Sequence, residues 1–491
     1  MAIETGKRKW PVVDGDSSES SLPADIIAHI TGRLTSQVDF LNCRNVCPSW
    51  ERALRGEARR LTATEDHVPW LLLAVKADES YLGRQTGTPQ SPGGDVAAVQ
   101  LPGRHVRLGR REICLGCSSG WLVMAHDFGY ARVVNPLTGA TAPLPPLWRL
   151  PYLDAAHSYD GCVGSFLYQD ERHRGGPGVA FSFDGLCDLV LRKAVIVDIR
   201  DGGATVAILY RREREFAMAR TGQRSWCFVN NKMDAIVDMA RHGDGKLYTV
   251  HFSGKVARWK FDCNVHNSPE ILESVMVIDS PYHYVIKDDD DNAIMSREYE
   301  HDHRDRAGEC CYLVGAPGGT LYLLKRVYKH EQVSGGGRTQ RTTATFDVWH
   351  LTWGSHDGMK WLTTMDGAIY QNLATFVSYT GAVCVGKRDA GGGENVLAGG
   401  AVYFTEEAAD YVGAAMVEDF GVRMISIKRQ RSKRIARMAR VDDEAMKRMK
   451  EELEDEKSEE VKQLGRCMNW PPPFWFIPSL DESLGAAPPG K

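Results

Sequence analysis

The chain lacks any apolar run near the roughly 20 residues needed to span a bilayer, so no membrane span is expected in its 491 residues. Its first residues, Met1 to Asp16, carry Lys7-Arg8-Lys9 but no apolar core, which argues against a secretory leader. Charge of one sign is also missing. A formal net charge of -4 gives no general drive toward nucleic acid or anionic lipid, and neither partner is expected.

Catalytic signatures are equally sparse. There is no Gly-x-Ser-x-Gly elbow, no His-Glu-x-x-His and no Gly-x-x-x-x-Gly-Lys-Ser/Thr phosphate loop. Glu406 and Glu407 are adjacent, which on a strand would place them on opposite faces. Twelve scattered cysteines fit reduced thiols in a cytoplasmic or nuclear protein. Cys114 and Cys117 form the sole C-x-x-C and have no second ligand pair, so they read as strand cysteines rather than a zinc or redox site. No enzyme activity, metal or cofactor is expected.

What the chain does have begins at Leu22-Pro23. Proline has no amide hydrogen to lose in a first helical turn, and its φ is already helical. Ile26, Ile27, Ile30 and Leu34 then recur at helical spacing, with Gly32 as a weak point in that helix. Thr35-Ser36 punctuates, and a second helix carries Val38, Phe40, Leu41 and Val46. Pro48 breaks it, and Trp50, Ala53 and Leu54 mark a third. Three such short helices bury little surface alone and need the rest of the chain or a partner.

From about Leu71 the texture changes to short branched and aromatic runs between Gly, Asp and Asn turns. A glycine followed by a strand recurs at Gly120-Trp121-Leu122-Val123, Gly245-Lys246-Leu247-Tyr248, Gly319-Thr320-Leu321-Tyr322 and Gly400-Ala401-Val402-Tyr403. The second of these continues into a hairpin through Trp259. Degenerate hairpin repeats over a long chain suggest a β-propeller, with a large β-sandwich as the alternative.

Three segments interrupt the pattern. Asp288 to Asp291 and Glu298 to Glu309, with His301 and His303, read as a solvated acidic loop rather than a metal site. Ser334-Gly335-Gly336-Gly337 and Gly391-Gly392-Gly393 read as loop tips. From Lys428 to about Lys462, basic residues are followed by acidic ones, with Asp443–Lys447 and Glu444–Arg448 at favourable helical spacing. This predicts a solvated, partly frayed helix; a partner-binding arm or a nuclear import signal are the alternatives.

In motif order, residues 21–56 resemble an F-box, the helical module that joins a substrate receptor to an SCF-type ubiquitin ligase. The resemblance implies contact with the adaptor, the S-phase-kinase-associated protein, through Leu22, Pro23, Ile26, Ile27, Ile30, Leu34, Val38 and Phe40. Cys43, Val46, Cys47 and Trp50 would hold the module together. Gly120-Trp121-Leu122-Val123, Asn135-Pro136-Leu137-Thr138-Gly139, Leu144-Pro145-Pro146 and Trp470-Pro471-Pro472-Pro473-Phe474-Trp475 are similar to plant F-box proteins with a C-terminal KIB-type β-propeller.

The resulting expectation is a small α-helical F-box followed by a large all-β domain with a charged helical insertion near the C-terminus. In residues, 1–20 are disordered, 21–60 form the F-box and 61–478 the propeller, with insertions at about 287–309, 331–342 and 425–465, and 479–491 form a disordered tail. The implied function is substrate recognition for an SCF ligase, linked through the adaptor to a cullin, with an unknown target protein on the propeller. A propeller that merely blocks a kinase or other regulator is the second reading, and a propeller glycosidase or oxidase the third.

Overall fold

A computed structural model of the chain describes residues 22–34, 37–44, 46–54, 69–75, 79–85, 96–99, 112–157, 163–169, 178–210, 215–230, 235–251, 255–262, 270–278, 309–317, 319–332, 339–353, 359–363, 372–386, 400–405, 421–426, 431–437, 474–477, 479 and 484. The chain divides into two compact units, Met1–Leu61 and Thr62–Lys491.

The first unit holds three helices, α1 (Ala24–Thr31), α2 (Gln37–Arg44) and α3 (Pro48–Leu54). Pro23 sits one residue before α1 in an extended conformation, and its carbonyl accepts from the amides of Ile26 and Ile27, both at 3.1 Å. The proline therefore serves as the N-cap, outside the first turn. Gly32 falls just beyond the helix end, where its amide bonds to Ala28 O at 2.8 Å, and so costs α1 little. Ile27, Thr31, Phe40, Arg44 and Leu54 are buried.

Seven sheets make up the described part of the second unit. Sheet 1 joins Trp70–Val75, Glu79–Gln85 and Val96–Val99, and adds the C-terminal strand Phe474–Phe476 beside Trp70–Val75. Sheet 2 is Glu112–Ser118, Trp121–His126, Ala131–Val134 and Thr141–Leu144. Sheet 3 is smaller: Leu153–His157, Val163–Tyr168 and Val179–Phe181, followed by helix α4 (Phe183–Leu189). Sheet 4 runs Leu191–Arg200, Gly203–Tyr210, Glu215–Arg220 and Cys227–Asn230.

Sheet 5 follows with Ile236–Arg241, Leu247–His251, Val256–Asp262 and Glu270–Ile278. Sheet 6 is Glu309–Gly315, Leu321–Gln332, Thr339–Trp353 and Met359–Thr363. Sheet 7 has five strands, ordered Gly381–Gly386, Leu373–Ser378, Ala401–Thr405, Gly421–Ser426 and Arg431–Arg437. Within it Leu373–Ser378 and Ala401–Thr405 run parallel.

Sheets 2, 4, 5, 6 and 7 neighbour one another in that order through Glu112–Ser118, Leu191–Arg200, Ile236–Arg241, Glu309–Gly315 and Gly381–Gly386. Sheet 7 then meets Phe474–Phe476 of sheet 1, and the Cys117 thiol of sheet 2 donates to Trp475 O at 3.2 Å. Sheet 3 stands outside this succession.

Strands buried on both faces explain the apolar runs. Side chains alternate along a strand, so in Leu191–Arg200 Ala194 and Ile196 pack toward sheet 2 while Val195 and Val197 pack toward sheet 5. Sheets 5 and 6 share a core through Tyr248, Val250, Leu313 and Leu323. Sheets 6 and 7 share Tyr322, Phe346, Val377 and Phe404. Between the last two the buried Arg326 guanidinium lies 4.9 Å from the Phe404 ring centroid.

All four repeated glycines precede a strand in a left-handed turn, with φ of 81° at Gly120, 78° at Gly245, 79° at Gly319 and 70° at Gly400. The expected hairpin is present as Leu247–His251 against Val256–Asp262. Irregular spacing between the glycines has a cause: sheet 3 and α4 lie between the first and second, and residues 263–308 lie between the second and third.

Three expectations need correction. Arg431–Arg437, expected in a charged helix, is a strand paired with Gly421–Ser426. An outer strand tolerates charge, and sheet pairing overrides the local helix preference. The insertion expected at 331–342 shrinks, because Leu321–Gln332 and Thr339–Trp353 pair out to Gln332↔Thr339. The tail expected to be disordered from 479 contributes Ser479, whose carbonyl accepts from Asn135 Nδ2 at 2.8 Å, and Leu484, buried in the core with sheets 2 and 4. Asp288 to Asp291, His301, His303, Gly335 to Gly337, Gly391 to Gly393 and 438–473 lie outside the described residues.

Candidate interaction surfaces

Helix α1 turns about 100° per residue, so neighbours such as Ile26 and Ile27 cannot share a face. Ile27 and Thr31 point inward, at 1% and 3% exposure. Ile26 and Ile30, spaced by four on the helix, stand outward at 42% and 40%, and Leu22, before the helix, is 44% exposed. Pro23 is exposed beside them. Among the described residues, the large apolar side chains that remain exposed are these three, Val46, Tyr130 and Val179. Four of the six therefore belong to the small unit.

The expected adaptor-contact residues accordingly separate. Ile26 and Ile30, one turn apart on α1, stand outward together, Leu22 and Pro23 are exposed just before the helix, and Leu34 is half-buried. Ile27 and Phe40 are interior residues that hold the unit together, and this corrects their expected placement on a docking face. The Val38 side chain lies outside the described residues. Of the four residues expected to form the module's core, Cys43, Cys47 and Trp50 are half-buried, and Cys47 Sγ lies 2.9 Å from Ser49 Oγ. Val46 is corrected to a surface residue at 62% exposure, because it follows the end of α2. Burial, followed by the nearby Asp39 carboxylate, raises the Cys43 thiol pKa.

In the large unit the C-x-x-C cysteines lie on one strand with a bulge between Cys114 and Gly116. Cys114 Sγ donates to Gly116 O at 3.3 Å, and burial raises its pKa well above the ordinary thiol value. Cys117 keeps some exposure as a residue, yet its thiol is enclosed and pushed up to about 11, with Lys193 and Thr380 opposing the shift. Both thiols are protonated at neutral pH and bond to carbonyls, the state of structural strand cysteines. Among the described residues no group of three His, Cys, Asp or Glu could hold a metal ion, and no helix is long and apolar enough to cross a membrane.

Two exposed apolar residues of the large unit carry no signal in the sequence pattern. Tyr130, 59% exposed, packs edge-on against Trp148 at 5.3 Å, and Val179, 56% exposed, lies on an outer strand of sheet 3. Both surround the sheet that stands apart from the succession. Only the contrast between an aromatic turn and its neighbours could have signalled them.

Successive, face-packed and mostly antiparallel sheets define a large β-scaffold suited to protein interaction. The chain belongs to the KIB1-4 β-propeller family, which matches residues 89–428. Two solved structures are similar at low identity. One is described as YCF48 bound to D1 peptide, at 11% identity and TM-score 0.23, over 60% of this chain and 84% of that one. The other is dihydro-heme d1 dehydrogenase NirN in complex with DHE, at 9% identity and TM-score 0.24, over 76% of this chain and 73% of that one. A search among curated proteins finds no match.

Proposed function

We propose that the protein is a substrate receptor of an SCF-type ubiquitin ligase. Its N-terminal helices dock the adaptor and its β-propeller holds a target protein; the chain itself carries out no chemistry. The observation that supports this reading is the exposure of Ile26 and Ile30 on a helix that buries Ile27 and Thr31, with Leu22 and Pro23 also exposed just before it. Burying the rest of each side chain would contribute roughly 1 kcal/mol. Three of them supply a useful fraction of the about 8 kcal/mol of a micromolar complex. The mechanism is proximity, since holding the target beside a ubiquitin-charged enzyme raises the effective concentration of its lysines.

The test is co-purification of the adaptor with the full chain and with an Ile26→Ala/Ile30→Ala variant. Adaptor recovery should fall about tenfold or more, while circular dichroism of the large β-domain stays unchanged. Adaptor binding at wild-type strength in the variant, or none in the native chain, would overturn the proposal.

A further inference from the structure

Ile26, His29, Ile30 and Arg33 are spaced by three and four, and helical geometry puts residues so spaced on one face. The spacing holds past the end of α1, because Gly32 keeps helical angles (φ -62°, ψ -15°) and the Arg33 amide bonds to Ile30 O at 3.3 Å. All four residues are exposed. Ile26 and Ile30 make the apolar half of this face. His29 and Arg33 make its polar half, joined by a hydrogen bond of 2.9 Å from Arg33 Nη2 to His29 Nε2.

A guanidinium only donates, so the ring nitrogen it meets must offer a lone pair. His29 therefore faces Arg33 as a neutral acceptor, which holds the arginine side chain against the helix without compensating its charge. Among the described residues Arg33 pairs with no carboxylate. Asp25, the acid in the first turn of α1, lies eight positions back, about 12 Å along the axis. An exposed arginine that is held in place but uncompensated suits a carboxylate, which it can grip with two parallel hydrogen bonds. Ordering the side chain beforehand lowers the entropy cost of that grip. The neighbouring isoleucines favour a protein surface over the phosphates of a nucleic acid, since they gain only where apolar surface covers them.

We propose that Arg33, positioned by His29, binds a carboxylate of the SCF adaptor at the edge of the apolar contact made by Ile26 and Ile30. The face fits an apolar groove with an acidic rim, and the ion pair sets the register in which the helix docks. This rests on the reading of the chain as an SCF substrate receptor and names the partner chemistry of that same site.

The experiment measures the affinity of the full-length protein for the purified adaptor by titration calorimetry. Arg33→Gln should weaken binding about fivefold, and Arg33→Glu, which sets like charges together, about fiftyfold. Arg33 is exposed, so both variants should melt with the native chain. Raising salt from about 0.05 M to 0.5 M should shrink the gap between Arg33→Gln and the native chain. In a set of adaptor variants, each with one surface Asp or Glu replaced by Lys, one should bind Arg33→Glu about tenfold better than the unaltered adaptor does. His29→Ala should weaken binding about threefold, and His29→Gln, whose amide oxygen still accepts from Arg33, should restore it. Binding of Arg33→Gln and Arg33→Glu at native strength would overturn the carboxylate contact and leave the receptor reading standing. Native affinity in His29→Ala would overturn the positioning role. No binding by the native chain would sink both the contact and the receptor reading.

Discussion

Lys193 Nζ donates to Asp238 Oδ1 at 2.8 Å, joining the inner strand of sheet 4 to that of sheet 5. The other Asp238 oxygen accepts from Leu313 N at 2.7 Å, on the inner strand of sheet 6. Both side chains are nearly buried, at 11% and 7% exposure. One carboxylate therefore ties three successive sheets together.

Replacing Asp238 by alanine leaves a buried ammonium and an orphaned amide, and should destabilise the large domain by about 3–5 kcal/mol. Asp238→Asn combined with Lys193→Met should recover part of that loss, because no buried charge is then left and the amide oxygen can still accept from Leu313 N. Denaturant titration of the single and double variants checks both outcomes.

Gly120 and Gly245 share a left-handed φ but not a neighbourhood. A Cβ at Gly120 would lie 2.1 Å from Ser479 Cβ, whereas one at Gly245 meets nothing within 4 Å. Gly245→Ala should cost only the conformational strain, about 1 kcal/mol. Gly120→Ala should cost clearly more and should release the C-terminal segment, read as faster proteolysis beyond Phe476 at a temperature where Gly245→Ala resists.

Acid should open the turn His242–Lys246. Asp244 loses some hydration, which raises its pKa, but the Lys246 amide, His242 and the Tyr248 hydroxyl together bring it below the ordinary 3.8. A depressed folded pKa gives stability that is complete above the unfolded value and lost as pH falls through the folded one. Asp244→Asn should therefore cost about 1 kcal/mol at pH 7, and the difference from the native chain should vanish as pH falls below 3.8. Urea unfolding across that range measures it.

Alkali should act through Cys117, whose thiol is pushed from 9.0 up to about 11. A raised folded pKa gives stability that is complete below the unfolded value, here 9.0, and lost as pH rises toward 11. The loss should approach ~2–3 kcal/mol by the upper end. Cys117→Ser keeps a donor for Trp475 O without a group that titrates there, so its stability should fall less steeply over the same interval.

The repeat was legible wherever backbone strain forced a residue type. Gly120, Gly245, Gly319 and Gly400 mark turns that need positive φ, and each announced the strand behind it. The outward ladder of α1 was legible as residues but not as a face. Apolar type alone cannot tell Ile26 from its neighbour Ile27, and only packing shows which one turns inward. In Arg431–Arg437 pairing with the partner strand Gly421–Ser426 overrides the local helix preference that the sequence shows. Asn135 looked like a turn residue and is one, accepting from Leu137 N and Thr138 N. Its tie to Ser479 spans 344 positions, a distance no local pattern can encode.

The strand Phe474–Phe476 has a temporal consequence. It completes sheet 1 beside Trp70–Val75, and Trp475 edges onto Phe376 at 4.9 Å while its amide bonds to Ser378 Oγ. During synthesis these partners leave the ribosome well before the residues that cover them. Trp70–Val75 and the Phe376 side of sheet 7 must wait for these contacts until residues 474–476 have been translated. A nascent chain stalled before residue 474 would leave Trp70–Val75 and Phe376 without these contacts.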